Sequence, residues 1–251
     1  MIYIRTEEEI EGIRAACRLT ADAMAVCLDM VRAGVKTIEI AEEARRFMES
    51  KGGRAAFLGF NGYPGAICIS LNEEVVHGIP GERVLRDGDL VKLDVGASLG
   101  GFYGDMARTV SIGKASAQTQ DLIETTRESF FRGVAEAIPG NYTGDIGHAV
   151  QTYAEGRGFY VVRALVGHGI GRSPHEEPQV PNFGRPGKGS RLKERMVIAV
   201  EPMINVGTYD VDTLEDDWTV VSADGSLSAH YENTLVIREG RPEILTLMSG
   251  E

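Results

Sequence analysis

The sequence predicts an α+β chain built from two related halves, and three observations carry the prediction. Apolar residues step by three and four through Ile10, Ile13, Cys17, Thr20, Met24, Cys27 and Val31, the period of a helix with one buried face. Short apolar runs bounded by glycine, such as Asp89–Val95 and Phe102–Ile112, have the length and composition of strands. A pattern from the first half also returns in the second. Gly34-Val-Lys-Thr37, with its helix ending at Gly52, recurs as Gly140-Asn-Tyr-Thr143, ending at Gly158, at one offset of 106 residues. Leu85–Asp94 matches Leu192–Glu201 at an offset of 107. His77-Gly-Ile79 and His168-Gly-Ile170 give each half one His-Gly-Ile loop, and Tyr103-Gly-Asp105 and Tyr231-Glu232 each open a β-rich stretch ending in glycine. Such pairs in nearly the same order predict halves of about 1–113 and 114–251, fused into a single domain spanning 1–251.

The elements follow in order. Thr6 and Glu9 form a capping box, so the first helix runs from Thr6 to about Arg32 and ends before Gly34. Thr37 is expected to cap a second helix that stops at Gly52-Gly53. Ala66–Ser70 and Asp89–Val95 read as strands, and the Gly100-Gly101 turn returns the chain as a strand over Phe102–Ile112. Helices are expected near 116–137 and 143–156, and a strand near 159–163 leads into Gly167-His-Gly-Ile-Gly171. The segment 172–190, rich in proline and glycine, reads as an ordered loop over a site. Met196–Glu201, Trp218–Val221 and Ser228–Arg238 complete the strands.

Composition narrows the function. The 251 residues are 43% hydrophobic and 25% charged, an ordinary globular balance. A net charge of −11 argues against a nucleic-acid or anionic-membrane binder. Cys17, Cys27 and Cys68 cannot all pair, and none stands in a CxxC, so they read as reduced thiols and exclude a zinc–thiolate site. Acids occupy the start where a signal peptide would carry basic residues, and no apolar run approaches the ~18 residues of a membrane span. A cytoplasmic protein is expected.

The informative chemistry is acidic. Alternation sets Asp94 on the opposite face from Val91, Leu93 and Val95, and sets Glu201 on one face with Val197 and Ala199. Folding the hairpin about Leu99-Gly100 is expected to place Asp94 directly opposite Asp105, where like charges repel. Two acids so placed must share a proton, find a cation or bind metal. Glu201 and Glu232 repeat the pattern in the second half. With His168 on its glycine-flanked loop, four carboxylates and one imidazole form a hard, oxygen-rich set that favours Mn, Fe or Co. Two metals bridged by carboxylates would make hydrolysis by activated water the natural reaction.

Five segments then carry a resemblance: Asn72-Glu-Glu-Val-Val-His77-Gly-Ile-Pro80, Asp94 with Asp105, Gly167-His168-Gly-Ile-Gly-Arg-Ser-Pro-His175-Glu-Glu-Pro, Glu201-Pro-Met and His230-Tyr-Glu232-Asn-Thr. In this order the chain resembles the type I methionine aminopeptidases over nearly its whole length. The resemblance implies the pita-bread fold, two pseudo-symmetric halves with a curved antiparallel sheet inside and helices outside. It implies two divalent ions (Co, Mn, Fe or Zn), with Asp94 on the first, Asp105 and Glu232 bridging, and His168 and Glu201 on the second. A bridging hydroxide would attack the carbonyl after the first methionine, whose free α-amine would bind a metal, and Glu201 would also handle the proton. His77 would contact the scissile amide and His175 the carbonyl oxygen. Phe57, Phe60, Tyr63, Cys68 and Trp218 would line the methionine pocket, where aromatic rings suit a thioether. Phe57 and Phe60 stand where well-known members have Cys and Tyr, and Pro174 replaces a larger apolar residue. The family also has a monovalent-cation site near Asn72 and Ser228, which Glu74, in place of an apolar residue, leaves unassigned here.

By the same resemblance the partners are the N-termini of nascent proteins, with the ribosome nearby, and the chain is expected to be a monomer. A proline-directed peptidase of the same fold is the nearest rival, and a non-enzymatic binding module on this scaffold is the other.

Overall fold

The computed structural model describes residues 1–248, so the last three positions of the expected domain lie outside the described residues. Helix α1 spans Glu7–Met30 and starts as its capping box dictates: Thr6 Oγ1 accepts from the Glu9 amide and the Glu9 carboxylate from the Thr6 amide. Helix α2, Thr37–Ser50, is capped differently from the expectation. Thr37 is its first helical residue, and the Lys36 amide donates to the Glu39 carboxylate at 2.8 Å. The Thr37 hydroxyl bonds the main chain of Gly81 instead, accepting at 2.9 Å and donating at 3.0 Å. Helices α3, Ala117–Ala135, and α4, Thr143–Gly156, follow the expected ranges closely. The α4 entry repeats that of α2, with the Asp145 carboxylate accepting from the Tyr142 amide at 2.7 Å.

The strands are β1 Arg54–Ala55, β2 Cys68–Leu71, β3 Glu74–Val76, β4 Leu90–Leu99, β5 Phe102–Ser111, β6 Tyr160–Val161, β7 Gly167–Gly169, β8 Glu176–Val180, β9 Val197–Val200, β10 Met203–Asn205, β11 Val211–Thr213, β12 Val220–Ser222, β13 Ser228–His230, β14 Glu232–Val236 and β15 Glu243–Ile244. Nine of them form one sheet in the order β1-β4-β5-β14-β9-β7-β8, with β2 on β4 and β15 on β14. Two three-stranded sheets, β13-β10-β6 and β11-β12-β3, complete the set. The segment 172–190 is therefore only partly loop: β8 runs through it as an edge strand beside β7, a place that tolerates Pro178. Ser228–Arg238 is likewise two strands, broken at Tyr231.

The helices cover one face of the large sheet. Val91, Leu93, Val95 and Ala97 of β4 pack against α1 and α2, while Ile198 and Val200 of β9 pack beneath α3 and α4 with Phe130 and Ile146. Period two then turns Asp94 and Lys92 to the other face. Strand β5 joins the two halves by pairing with β14, Ala107 opposite Glu232.

The hairpin register differs from the expectation. Gly100 and Gly101 both have positive φ, 59° and 81°, and make a two-residue turn that closes on Leu99 and Phe102. Asp94 therefore faces Ala107, and Asp105 faces Gly96. A shift of two residues keeps both acids on one face, so they are diagonal rather than opposed.

Candidate metal centre

Asp94, Ala107 and Glu232 stand in register across β4, β5 and β14, with Asp105 one pleat along from Ala107. Ala107 is fully buried and small, so the three acids surround a position where little side chain fills the space. Asp105 is fixed by Thr234, whose hydroxyl accepts from its amide at 3.0 Å and donates to its carbonyl at 2.9 Å. Glu201 follows β9, and Asn182 donates to its main-chain carbonyl at 2.9 Å. His168 lies in β7, between two glycines packed too close to neighbouring main chain to admit a side chain: a Cβ on Gly169 would stand 2.2 Å from the Glu177 carbonyl oxygen.

The expected five ligands converge. His168 Nε2 lies 3.4 Å from Glu201 Oε1 and 4.0 Å from Asp105 Oδ2. His168 Nδ1 sits 3.0 Å from the Gly169 carbonyl oxygen, so that nitrogen carries the proton and Nε2 offers its lone pair. Ligand atoms of His168, Glu201 and Glu232 lie within 4.8 Å of one another, and so do those of Asp94, His230 and Glu232.

The acids are out of water. Burial pushes Asp94 up to about 7. Burial, with the charges of Glu232 and Asp94, holds Asp105 well above the usual carboxylate range. Burial and the neighbouring acids do the same for Glu201 and Glu232. Asp94 Oδ1, Asp105 Oδ1 and Glu232 Oε1 are buried without a hydrogen-bond partner. Such oxygens need protons or cations, and divalent ions fit them in kind and in number of donors. The histidines are pushed the other way, toward the neutral form that ligates metal or donates one N–H. Burial, then the proximity of His175, brings His168 to about 3, and the same two causes bring His77 to about 4.

A cavity of about 960 Å³ opens onto the acids, and all the expected pocket residues line it: Phe57, Phe60, Tyr63, Cys68, Trp218, His77 and His175. Tyr63 and Trp218 meet edge to face at 5.1 Å, and Phe57, Tyr63 and Cys68 form one buried cluster. Phe60 stands edge-on to His175 at 5.2 Å, and His175 tilts over His168 at 4.1 Å. His77 takes φ 61°, a left-handed conformation rare outside glycine. It is held there because Ile69 donates to the Gly78 carbonyl at 2.9 Å and Gly78 donates to Ser70 Oγ at 3.0 Å. The turn before His175 is tied by Glu176, whose Oε1 accepts from the amides of Arg172 and Ser173 at 2.8 and 3.1 Å and whose other oxygen pairs with buried Arg5.

Sequence reasoning missed four residues. His230 stands in the motif His230-Tyr-Glu232, but the break between β13 and β14 that brings its ring beside Glu232 has no signal in the sequence. Arg5 and Glu176 gave no signal, being 171 residues apart. Lys92, 1% exposed, sends its Nζ to the carbonyls of Asn72 at 2.7 Å and Ser228 at 3.0 Å. Those two carbonyls do not fit a monovalent ion as well, because the Lys92 side-chain nitrogen already occupies them.

The family model for metallopeptidase family M24 matches residues 11–239. A methionine aminopeptidase of Clostridium perfringens is 48% identical over 99% of this chain and 100% of its own length. Methionine aminopeptidase 1 of Bacillus subtilis is 46% identical over 98% of this chain and 99% of its own. Among solved structures, a methionine aminopeptidase of Thermotoga maritima superposes with a TM-score of 0.96 at 40% identity, covering 98% of this chain and 99% of the other. A prolidase of Pyrococcus furiosus shares the fold at a TM-score of 0.81 and 24% identity, with this chain covering 66% of it.

Proposed function

Because the chain belongs to metallopeptidase family M24 and matches methionine aminopeptidases along their full length, we propose that it removes the N-terminal methionine of proteins whose second residue is small. The observation that carries this reading is one cavity holding both an aromatic pocket and the buried acids with unpartnered oxygens. The domain is read as 1–251, its halves meeting near 113, with the acids at the seam.

Asp94 would hold a first divalent ion, His168 and Glu201 a second, and Asp105 and Glu232 would be shared between them. Bound there, divalent ions polarise a carbonyl oxygen and make water acidic enough to attack near neutral pH. Glu201, buried beside the attack site, takes the water's proton and returns it to the leaving amine. His77 donates toward the scissile amide. His175, neutral because burial lowers its pKa, donates through its N–H to the carbonyl oxygen as negative charge develops there. Phe57, Phe60, Tyr63, Cys68 and Trp218 hold the methionine side chain, and their rings favour its sulfur.

Among the described residues no helix is long and apolar enough to cross a membrane. The natural setting is the cytoplasm, near the ribosome where new N-termini emerge, and the working form is a monomer. The deciding experiment uses chelator-stripped protein with Mn, Fe, Co or Zn returned singly, and follows methionine release from Met-Ala-Ser and Met-Leu-Ser. Metal-dependent release from the alanine peptide alone is expected. Cleavage of Xaa-Pro peptides in its place would overturn the substrate, and a metal content near zero after reconstitution would overturn the chemistry.

A further inference from the structure

One buried side chain beside the acids has no place in that scheme. His230 ends β13, two residues before Glu232, and is 1% exposed. Neither of its ring nitrogens has a hydrogen-bond partner. An imidazole carries at least one N–H and one lone pair when neutral, so burying both unpaired is unfavourable unless something else engages them. Its backbone is clamped. Thr109 Oγ1 accepts from the His230 amide at 2.9 Å and donates to its carbonyl at 2.7 Å, and the residue pairs with Met203 across β10. The ring is thus held in place by sheet structure on both sides of the strand.

That place is next to Asp94 and Glu232. One nitrogen of His230 and one oxygen from each acid lie within 4.8 Å of one another. Nε2 stands 3.7 Å from Glu232 Oε2, beyond hydrogen-bond range. Atoms each about 2.0–2.2 Å from one ion can be up to roughly 4.4 Å apart, so this spacing suits shared ligation. The ring does not line the cavity, so ligation by it leaves the substrate side open.

We propose that His230 is a further metal ligand, its imidazole joining Asp94 and Glu232 on the first position. Each position then takes one imidazole, His230 on one and His168 on the other, and the centre becomes two nitrogens with four carboxylates. A nitrogen ligand moves the first position away from Mg and Mn and toward Fe, Co and Zn. The proposal rests on the reading of the acids as a metal site.

The test is proton NMR of the wild-type protein loaded with Co(II), in which a ligated imidazole N–H gives a strongly shifted, exchangeable signal. Two such signals at two equivalents of cobalt are expected. In His230→Gln one of them disappears, and one equivalent binds at least about 10-fold more weakly, the lower end of what even an outer partner of a ligand costs. Two bound equivalents with a single imidazole signal in the wild type would overturn the proposal and leave the metal site standing. Two signals that both survive in folded His230→Gln would also overturn it. No cobalt bound at all would remove the metal reading and this proposal with it. The wild-type spectrum needs no variant to fold.

Discussion

The Tyr63 hydroxyl donates a 2.9 Å hydrogen bond to the main-chain carbonyl of Gly78, so the wall of the aromatic pocket is fastened to the residue that follows His77. On the proposed reading, a side chain that would grip the substrate thereby steadies a loop that would act on it. Removing this buried bond in Tyr63→Phe leaves the Gly78 carbonyl held by the Ile69 amide alone, at a cost of about 0.5–1.5 kcal/mol. The expected outcome is a lower kcat with KM little changed, because the ring stays and the loop loosens. A rise in KM alone, measured on Met-Ala-Ser, would assign the hydroxyl to binding only.

On the proposed reading Asp105 would be shared by the two ions, so Asp105→Asn removes a charge that both would use. Activity is expected to fall by at least about 1,000-fold, the scale of losing a principal electrostatic element of catalysis. Circular dichroism should be unchanged, since Thr234 holds the main chain at this position. Retained turnover would show that the ligand assignment is wrong.

His175→Ala should lower kcat about 100-fold on the argument that it stabilises the developing oxyanion. Metal content should stay at the wild-type value, which elemental analysis checks. Loss of metal would make His175 a ligand beside Asp105 and His168, with which it also clusters.

Ala107→Val places two methyl groups in the space between Asp94 and Glu232. Overpacking of this kind costs about 1–3 kcal/mol, and here it should appear as weaker metal binding by titration calorimetry. Unaltered affinity would place the ions away from Ala107.

Above about pH 6.5, where the buried histidines no longer oppose the acids, the metal-free protein should melt higher near pH 6.5 than near pH 8, the reverse of a protein stabilised by ion-paired acids. Asp94 lies at about 7 when folded and near the ordinary value, roughly 3.9, when unfolded. The folded state therefore binds the proton more tightly, and this contribution to stability falls as pH rises from about 4 through about 7. Glu7 and Glu243, held low by Arg238 and Arg14, change below that window. Saturating divalent metal should remove the difference, as thermal melts at the two pH values would show.

The sequence carried most of this. The capping box at Thr6 and Glu9, the short segments that recur 106 residues on and the motif acids are local patterns, and local patterns survive in one dimension. Asp94, Asp105, Glu201 and Glu232 were legible because acids in apolar strands contradict their surroundings, and His168 because it stands on a glycine-flanked loop. The hairpin register was misread by two residues because turn geometry, set by φ at Gly100 and Gly101, decides which pairs close. Glu176 and Lys92 were invisible for another reason. Glu176 pairs with the side chain of Arg5, 171 residues away, and Lys92 donates to the main-chain carbonyl of Ser228, 136 residues away; neither a distant pairing nor a carbonyl has a letter in a sequence.

The pairing of β5 with β14 has a consequence for the order in which the protein can become active. Asp105 and Thr234, 129 residues apart, meet only once the last long strand has docked. A growing chain that has not yet extended past Glu232 holds Asp94 and Asp105 on a finished hairpin with nothing to complete them. Hydrolysis is therefore withheld from every copy whose synthesis has not passed Glu232, and arrives only when the second half closes over the first.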